Sequence, residues 1–451
     1  MGPTMDKNSR LMKVLWFANA PGLSAETLKV RLAGSGWVPA LQRAVEEYAD
    51  CELGLAFYHD AARDAFELNK TWYFPIQRLG HTKKKRFLNR VRGVAEYDEN
   101  VTKFLDVIAR FKPDIIHIHG TEMPFGLILH HIRHIPVVIS IQGVLTAYEK
   151  KYFSGIARPG LLRQWRSGYP FFGADYRIWL KRAKIEQEIM RKAEFIFGRT
   201  DWDRRVSKAM APQAEYFHLD EVIRPQFYQK KWDDVRNTRD DVRHARDDVR
   251  HASAESYGSG KSHGSAVLFT TSSASLYKGL ETVIDTAAIL CKNGIAFTWL
   301  VAGIKEGEAL VKLFKMQKRV KDLEALHIRL LGTLSEQELA DHFSRADIYI
   351  QVSHIENSPN SLCEAMLAGI PIIASYAGGT ASLLQDKQQG VLYQDGDPYS
   401  LAGCIQEMLD APGPAVGMAE AAYRVAHRRH DPGNIVREMM GRYAEMIRKK
   451  G

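Results

Sequence analysis

The sequence predicts an α/β protein made of two successive units, each a parallel sheet wrapped by helices. Three observations carry that expectation. Short β-rich runs ending in small or polar residues alternate with helical stretches from Met12 onward. The runs fall into two similar sets separated by a charged, repetitive segment. At 451 residues the chain is also too long for one hydrophobic core.

Taken in order, the first set of strands is expected at 14–17, 53–57, 115–119, 137–141 and 195–197, and the second at 267–270, 297–301, 328–331, 348–352 and 370–374. Two such βαβ sets imply two Rossmann-like domains facing each other across a cleft. Open α/β sheets bind ligands at the carboxyl ends of their strands, so the site is expected between the domains. The expected organisation is an N-terminal domain over 12–228, a charged linker over 229–264, a C-terminal domain over 265–430 and a final amphipathic helix over 431–451. That helix would place Ile435, Met439, Tyr443 and Met446 on one face and is a candidate to pack back on the N-terminal domain. In the linker, Asp-Asp-Val-Arg recurs at Asp233, Asp240 and Asp247, a seven-residue period with one apolar residue per heptad. A coiled-coil seam needs two, so a solvated, partly helical linker is expected.

The composition is 45% hydrophobic and 25% charged, with a formal net charge of +9. A basic balance of this kind suits an anionic partner such as a nucleotide, a nucleic acid or a membrane surface. Cys51, Cys291, Cys363 and Cys404 lie far apart with no CxxC spacing, which argues against a disulfide framework or a cysteine zinc site and fits a reducing compartment. No run approaches 18 apolar residues, and the N-terminus lacks the apolar stretch of a signal peptide. A soluble or surface-attached protein is expected.

Several local patterns imitate chemistry. Ser259-Gly260-Lys261-Ser262 looks like the end of a P-loop, but Glu255 stands where its first glycine belongs and the strand follows instead of preceding. Asp201-Trp202-Asp203 and Asp395-Gly396-Asp397 match a metal-holding DxD pair, and both are read as turns. His130, His131 and His134 are read as surface histidines. No metal site is therefore expected. HExxH and GxGxxG with a downstream acid are both missing, which lowers zincin and dehydrogenase readings.

One constellation carries weight. The strand expected at 348–352 runs into Ser353-His354-Ile355-Glu356-Asn357-Ser358-Pro359-Asn360-Ser361-Leu362-Cys363-Glu364. Ser358 suits an N-cap and Pro359 a first helical residue. The free N–H groups near Asn360 and Ser361 would then point into the cleft as an anion site suited to a diphosphate. Glu356 and Glu364 would flank it, as acceptors for sugar-nucleotide hydroxyls. Spacing alone equally fits a capped helix with two solvated glutamates.

With these residues the sequence resembles the large family of retaining, nucleotide-sugar-dependent glycosyltransferases of GT-B fold, the glycosyl transferases group 1, whose members carry an E-x7-E motif. Glu356 and Glu364 match its ends. Further points of likeness are Lys278-Gly279, Ala302-Gly303, Leu331-Gly332 and Gly378-Gly379, the Gly34-Ser35-Gly36-Trp37 loop, and Pro113-Asp114-Ile115-Ile116-His117-Ile118-His119-Gly120. The resemblance implies that Glu364 holds the ribose hydroxyls, that Glu356 faces the donor sugar, and that Lys278, helped by the Asn360 and Ser361 amides, neutralises the departing diphosphate. Glu356 and Lys278 are thus the catalytic candidates. Gly303 and Gly332 join the donor side, while Gly34, Gly36, Trp37, His119 and Gln142 fall on the acceptor side of the cleft. No cofactor is implied beyond the nucleotide-sugar donor itself.

The likeness has two departures. Ser272 and Ser273 stand where relatives commonly carry an arginine, which throws diphosphate binding onto Lys278. Gln142 stands where many carry a histidine, and an amide cannot act as acid or base. His119 becomes a secondary candidate, and the leaving phosphate is left to help deprotonate the acceptor.

Positive charge gathers in the N-terminal half. Residues 81–92 carry six Lys or Arg and no acid, and residues 150–192 net +8 among Tyr152, Phe153, Trp165, Tyr169, Phe171, Phe172, Tyr176 and Trp179. Such a surface suits a lipid-linked acceptor at an anionic membrane, and it equally fits a solvated basic face with buried aromatics; no nucleic-acid motif accompanies it. The expected function is transfer of a sugar from a nucleoside-diphosphate sugar to a glycan or lipid-linked glycan in surface polysaccharide assembly, in the cytoplasm or at the inner face of the plasma membrane. The alternatives are an epimerase or hydrolase on the same fold, or a nucleotide-binding protein without turnover.

Overall fold

The computed structural model describes residues 10–30, 36–78, 82–91, 101–156, 172–229, 232, 234, 265–317 and 319–451. Gly34, nearly all of the 229–264 linker with its heptads and Ser259–Ser262, and the basic stretch 157–171 lie outside these residues.

The N-terminal sheet is built from β1 (Met12–Phe17), β2 (Cys51–His59), β3 (Phe66–Leu68), β4 (Thr71–Gln77), β5 (Ile115–His119), β6 (Val137–Ser140), β7 (Phe195–Gly198) and β8 (Glu215–His218), in the order β3-β4-β2-β1-β5-β6-β7-β8. Only the β3–β4 pair is antiparallel. The C-terminal sheet comprises β9 (Ala266–Thr271), β10 (Phe297–Ala302), β11 (Ile328–Gly332), β12 (Ile348–Gln351), β13 (Ile372–Ser375) and β14 (Val391–Tyr393), all parallel, in the order β11-β10-β9-β12-β13-β14. That is the doubly wound order, whose direction reverses between β9 and β12. In the N-terminal sheet the reversal falls between β1 and β5.

All ten expected strands are present, with ends displaced by at most two residues. Four others escape the alternation rule for visible reasons. β4 contains Pro75, a residue that argues against an interior strand, yet it pairs with Phe57 of β2. β3 joins β4 through Asn69 and Lys70, both at positive φ, a tight hairpin without glycine. β8 is a polar edge and β14 has three residues.

The helices that matter for the site are α1 (Trp37–Tyr48), α2 (Phe172–Lys192), α3 (Asp201–Met210), α4 (Leu280–Lys292), α5 (Asn360–Leu367), α6 (Pro398–Asp410), α7 (Pro412–Arg429) and α8 (Pro432–Lys450). α7 and α8 carry the chain back to the first half. Asp431 caps α8 by accepting the Asn434 N–H at 2.7 Å. Ile435, Val436, Met439, Tyr443 and Met446 then bury against α1 and the N-terminal sheet, in one cluster with Val14, Trp16 and Val38. The tyrosine hydroxyl sits 2.5 Å from His117 Nδ1, tying the last helix to β5.

Candidate active site

The site grows from the reversal point of the C-terminal sheet. The chain leaving β9 turns through a short 3₁₀ segment, Leu276–Lys278, and the chain leaving β12 runs 352–359 before α5 begins. Gly279, at φ +75°, lets the first loop lie on the second: a Cβ there would collide with the Val352 carbonyl oxygen. Gly378, at φ +53°, does the same against the Glu356 carbonyl after β13.

This packing brings Lys278 Nζ onto Glu356 Oε1 as an ion pair, with the lysine side chain 24% and the glutamate 9% exposed. Burial alone would lower the lysine pKa, but the Glu356 carboxylate beside it wins and the net direction is upward. A fixed cation therefore stands at the carboxyl end of the switch-point strands. It also lies 5.8 Å from the Tyr277 ring centroid.

Eight residues on, Glu364 lies on the buried side of α5, 2% exposed. Burial pushes its carboxyl up from the usual range, against the pull of Arg224, which donates from Nε and Nη2 to Oε1 at 2.7 and 2.5 Å. The cap differs from expectation by one residue. Pro359 itself occupies the N-cap, no side chain caps the helix, and Asn360 is the first helical residue. Proline at this position lacks an N–H and has no capping side chain, so the first-turn N–H groups near half-buried Asn360 and Ser361 are left without a side-chain partner.

The N-terminal domain supplies the opposite wall. Asn357 accepts a hydrogen bond from Thr200 Oγ1 at 2.8 Å and approaches the carbonyls of Ile141 and Gln142 with Nδ2 at 3.3 and 3.4 Å. Gly36 lies so close to Arg224 and Glu336 that a Cβ would stand 2.9 Å from each. Gln142 is half-buried beside Gly120. His119 is less accessible than a cleft residue would be: 3% exposed, it packs edge-on against Trp16 and tilted against Trp37, with ring centroids 4.8 and 5.4 Å away. Burial, helped by the charge of Arg199, takes its pKa down to about 3, so it is neutral throughout the working range. Gly303 follows β10 at the surface and Gly332 ends β11, at φ +92° and +70°.

Three participants were not legible locally. Arg224 has just been placed. Arg199, after β7, forms a buried ion pair with Glu221 and reaches Gln142. His354 is held between Glu281 and Asp395, with Nε2 at 2.5 Å and Nδ1 at 2.6 Å, and Lys151 of the N-terminal domain joins Asp395 at 2.8 Å. The expected turn at Asp201-Trp202-Asp203 is instead the first turn of α3. Thr200 and Asp203 form a reciprocal capping box there, and Asp201 in the same turn pairs with Arg204. Asp395-Gly396 is a turn, and Asp397 caps α6. His130 pairs with Glu188 at 2.9 Å, and His131 and His134 are exposed.

The aromatics of the basic stretch also acquire a structural role. Tyr152, Phe153, Tyr176 and Trp179 pack on one another in tilted and edge-to-face pairs at 4.8–5.3 Å between centroids, and Trp179 lies 6.0 Å from Tyr277 across the domain boundary. Packing accounts for them. No helix among the described residues is long and apolar enough to cross a membrane.

Comparison with known proteins follows the same lines. Residues 254–425 match the family described as Glycosyl transferases group 1. The amylovoran biosynthesis glycosyltransferase AmsK of Erwinia amylovora is 26% identical over 176 residues, which is 37% of this chain and 42% of that protein. The chain thus aligns with less than half the length of this curated relative. Among solved structures, a sucrose-phosphate synthase from Thermosynechococcus elongatus superposes with a TM-score of 0.70 over 97% of this chain and 100% of its own, at 14% identity. HepE of Anabaena, in complex with UDP and glucose, gives a TM-score of 0.60 at 15% identity over 96% and 99%. The fold is therefore GT-B, and the match to the glycosyl transferases group 1 falls on the domain that carries Lys278, Glu356 and Glu364.

Proposed function

We propose that this protein is a retaining glycosyltransferase that moves a sugar from a nucleoside-diphosphate sugar to a glycan or lipid-linked glycan acceptor in surface polysaccharide assembly. The observation that carries the reading is the Lys278–Glu356 pair at the sheet's reversal point, with Glu364 eight residues on behind the uncapped first turn of α5. Glu364 would accept from the ribose hydroxyls, Glu356 from a donor-sugar hydroxyl, and Lys278 with the Asn360 and Ser361 amides would meet the diphosphate.

In transfer, the bond between the sugar C1 and the bridging phosphate oxygen breaks, and its electron pair leaves with the diphosphate. The acceptor oxygen bonds to C1 on the same face, and its proton passes to the departing phosphate. A preorganised cation facing the developing negative charge typically contributes a factor of about 10²–10³ in rate. Neither His119, buried and neutral, nor Gln142, an amide, competes for the proton. AmsK is described as acting in amylovoran biosynthesis, which supports a polysaccharide setting.

A membrane-bound acceptor is supported by exposed Lys184, Arg191 and Lys192 on α2. The test is a panel of UDP-, GDP- and ADP-sugars in thermal shift, because a ligand at 100 times its Kd adds about 2.7 kcal/mol to native stability. At least one donor is expected to raise Tm in the wild type and to lose that effect in Glu364→Ala. A panel without any shift would overturn the reading.

A further inference from the structure

The wall opposite Glu356 has a fixed hydrogen-bonding polarity. Arg199 follows β7 with its side chain 6% exposed and its charge compensated by Glu221, also 6% exposed. Its Nη2 donates to the Ile141 carbonyl at 2.7 Å and to Gln142 Oε1 at 3.1 Å, with the Gln142 carbonyl at 3.5 Å. A guanidinium carries five donors and no acceptor, so only the oxygen end of the Gln142 amide can face it. The NH₂ end is thereby turned away, and it has no partner among the described residues. Gln142 stands against Gly120, where a Cβ would lie 3.3 Å from its Cγ, and its carbonyl is the one approached by Asn357, the residue after Glu356.

We propose that Arg199 is a positioning residue that holds the Gln142 NH₂ toward the cleft, so that the acceptor-side wall recognises a hydrogen-bond-accepting oxygen of the acceptor, a hydroxyl lone pair, ring oxygen or anionic oxygen. This rests on the glycosyl-transfer reading above. A histidine at this position could serve as donor, acceptor or acid. Gln142 on Arg199 is a donor at every pH, and the adjacent cation polarises its N–H bonds further.

The surroundings agree. Arg199, Gln142, Glu221 and His119 line one small cavity of about 30 Å³, and Glu221 Oε1 and His119 Nε2 are buried without a hydrogen-bond partner among the described residues. That space suits one bound water, which would complete the network behind the amide.

The test introduces a reporter. In Gln142→His, the imidazole faces Arg199 and Glu221, with Glu122 nearby through its bond to the Gly143 N–H. A donor and cation aimed at a ring nitrogen disfavour the protonated form. NMR titration of histidine-labelled protein is expected to show at least a tenfold lower proton affinity for this ring than in Gln142→His/Arg199→Met/Glu221→Leu, which removes cation and anion together. In the otherwise wild-type chain, the Gln142 NH₂ signal, identified by its loss in Gln142→Met, should exchange rapidly with solvent and should shift in Arg199→Met/Glu221→Leu. Should that pair fail to fold, Arg199→Lys, which keeps the charge but not the fork, serves instead, with the same NH₂ shift expected. Equal proton affinities, or an NH₂ signal protected from solvent or indifferent to residue 199, would overturn the proposal. UDP, GDP and ADP binding by calorimetry on the same samples separates the two readings. Binding without coupling at residue 142 removes only the orientation, whereas coupling without any nucleotide binding removes only the transferase reading on which its role depends.

Discussion

Arg224 and Glu364 meet across 140 residues of sequence, two guanidinium nitrogens converging on one carboxylate oxygen at 2.7 and 2.5 Å. The pair also joins the N-terminal half of the chain to α5, the helix that carries the second glutamate of the E-x7-E motif. Removing one partner of a buried pair leaves the other charge uncompensated and costs about 3–5 kcal/mol. Arg224→Ala is therefore expected to lower Tm and to weaken nucleoside-diphosphate binding at least tenfold, with Arg224→Lys intermediate. Calorimetry with the nucleotide selected by thermal shift decides it, and wild-type affinity in Arg224→Ala would refute the coupling.

Lys278 is held to Glu356 by an ion pair; on the proposed reading, its charge needs little reorganisation when a diphosphate departs. Lys278→Ala should reduce kcat by about 10²-fold or more, and Lys278→Arg should keep more activity than Lys278→Ala. Glu356→Ala should depress turnover more than nucleotide affinity, and Glu364→Ala the reverse. An alanine variant at 278 with unchanged kcat would show that another group carries the charge.

What could be read in the sequence was what repeats locally. Ile115 to His119 announces a buried strand by composition, and Ser358-Pro359 announces a helix start to within one residue. Glu356 and Glu364 declare themselves because their spacing is fixed by one loop and one helix. Arg224 and Arg199 carry no such signal, since each acts on partners brought near only by the fold, 140 and 57 residues away in sequence. Tyr152, Phe153, Tyr176 and Trp179 fit either a membrane-facing surface or a buried cluster while only their sequence is read, and tertiary structure decides it by packing them on one another beside the domain boundary.

Activity is expected to persist in EDTA. Both DxD pairs have their carboxylates committed: Asp203 accepts from Arg199 N at 2.9 Å and from Tyr216 at 2.6 Å, Asp201 pairs with Arg204, and Asp395 binds His354 and Lys151. Turnover abolished by EDTA and restored by Mn²⁺ or Mg²⁺ would show that a donor diphosphate brings these acids, or others, into metal coordination.

The last helix should matter to stability out of proportion to its position at the chain end. Met439 is fully buried between α8 and the N-terminal sheet, and truncating such a side chain typically costs about 2–5 kcal/mol. Met439→Ala is expected to lower Tm by several degrees, while Arg437→Ala on the exposed face should change stability by about 0.5 kcal/mol or less. Equal Tm values for the two variants would mean that α8 is dispensable to the N-terminal core.

The His354 cluster makes domain docking depend on pH. Burial disfavours the imidazolium, but hydrogen bonds to Asp395 and Glu281 outweigh it and raise the pKa from 6.5 to about 9. A group whose folded pKa is raised contributes fully below its unfolded pKa and loses that contribution as pH climbs through the folded one. The window here is therefore pH 6.5 to about 9, with an upper magnitude of about 3 kcal/mol. Above it, a neutral ring donates from one nitrogen only, and Glu281 or Asp395 is left with a lone pair facing it. Asp395 is also the anchor for Lys151, so the contact between domains should loosen in the same window. Denaturant unfolding of wild type is expected to show stability falling from pH 6.5 to 9, with the slope much reduced in His354→Gln. Lys151→Met should lower stability while keeping that slope, because it removes the interdomain contact and leaves the titrating group in place. A flat wild-type profile would mean that His354 titrates alike in the folded and unfolded chain, and a rising one that it is neutral in the folded protein; either would refute the raised pKa.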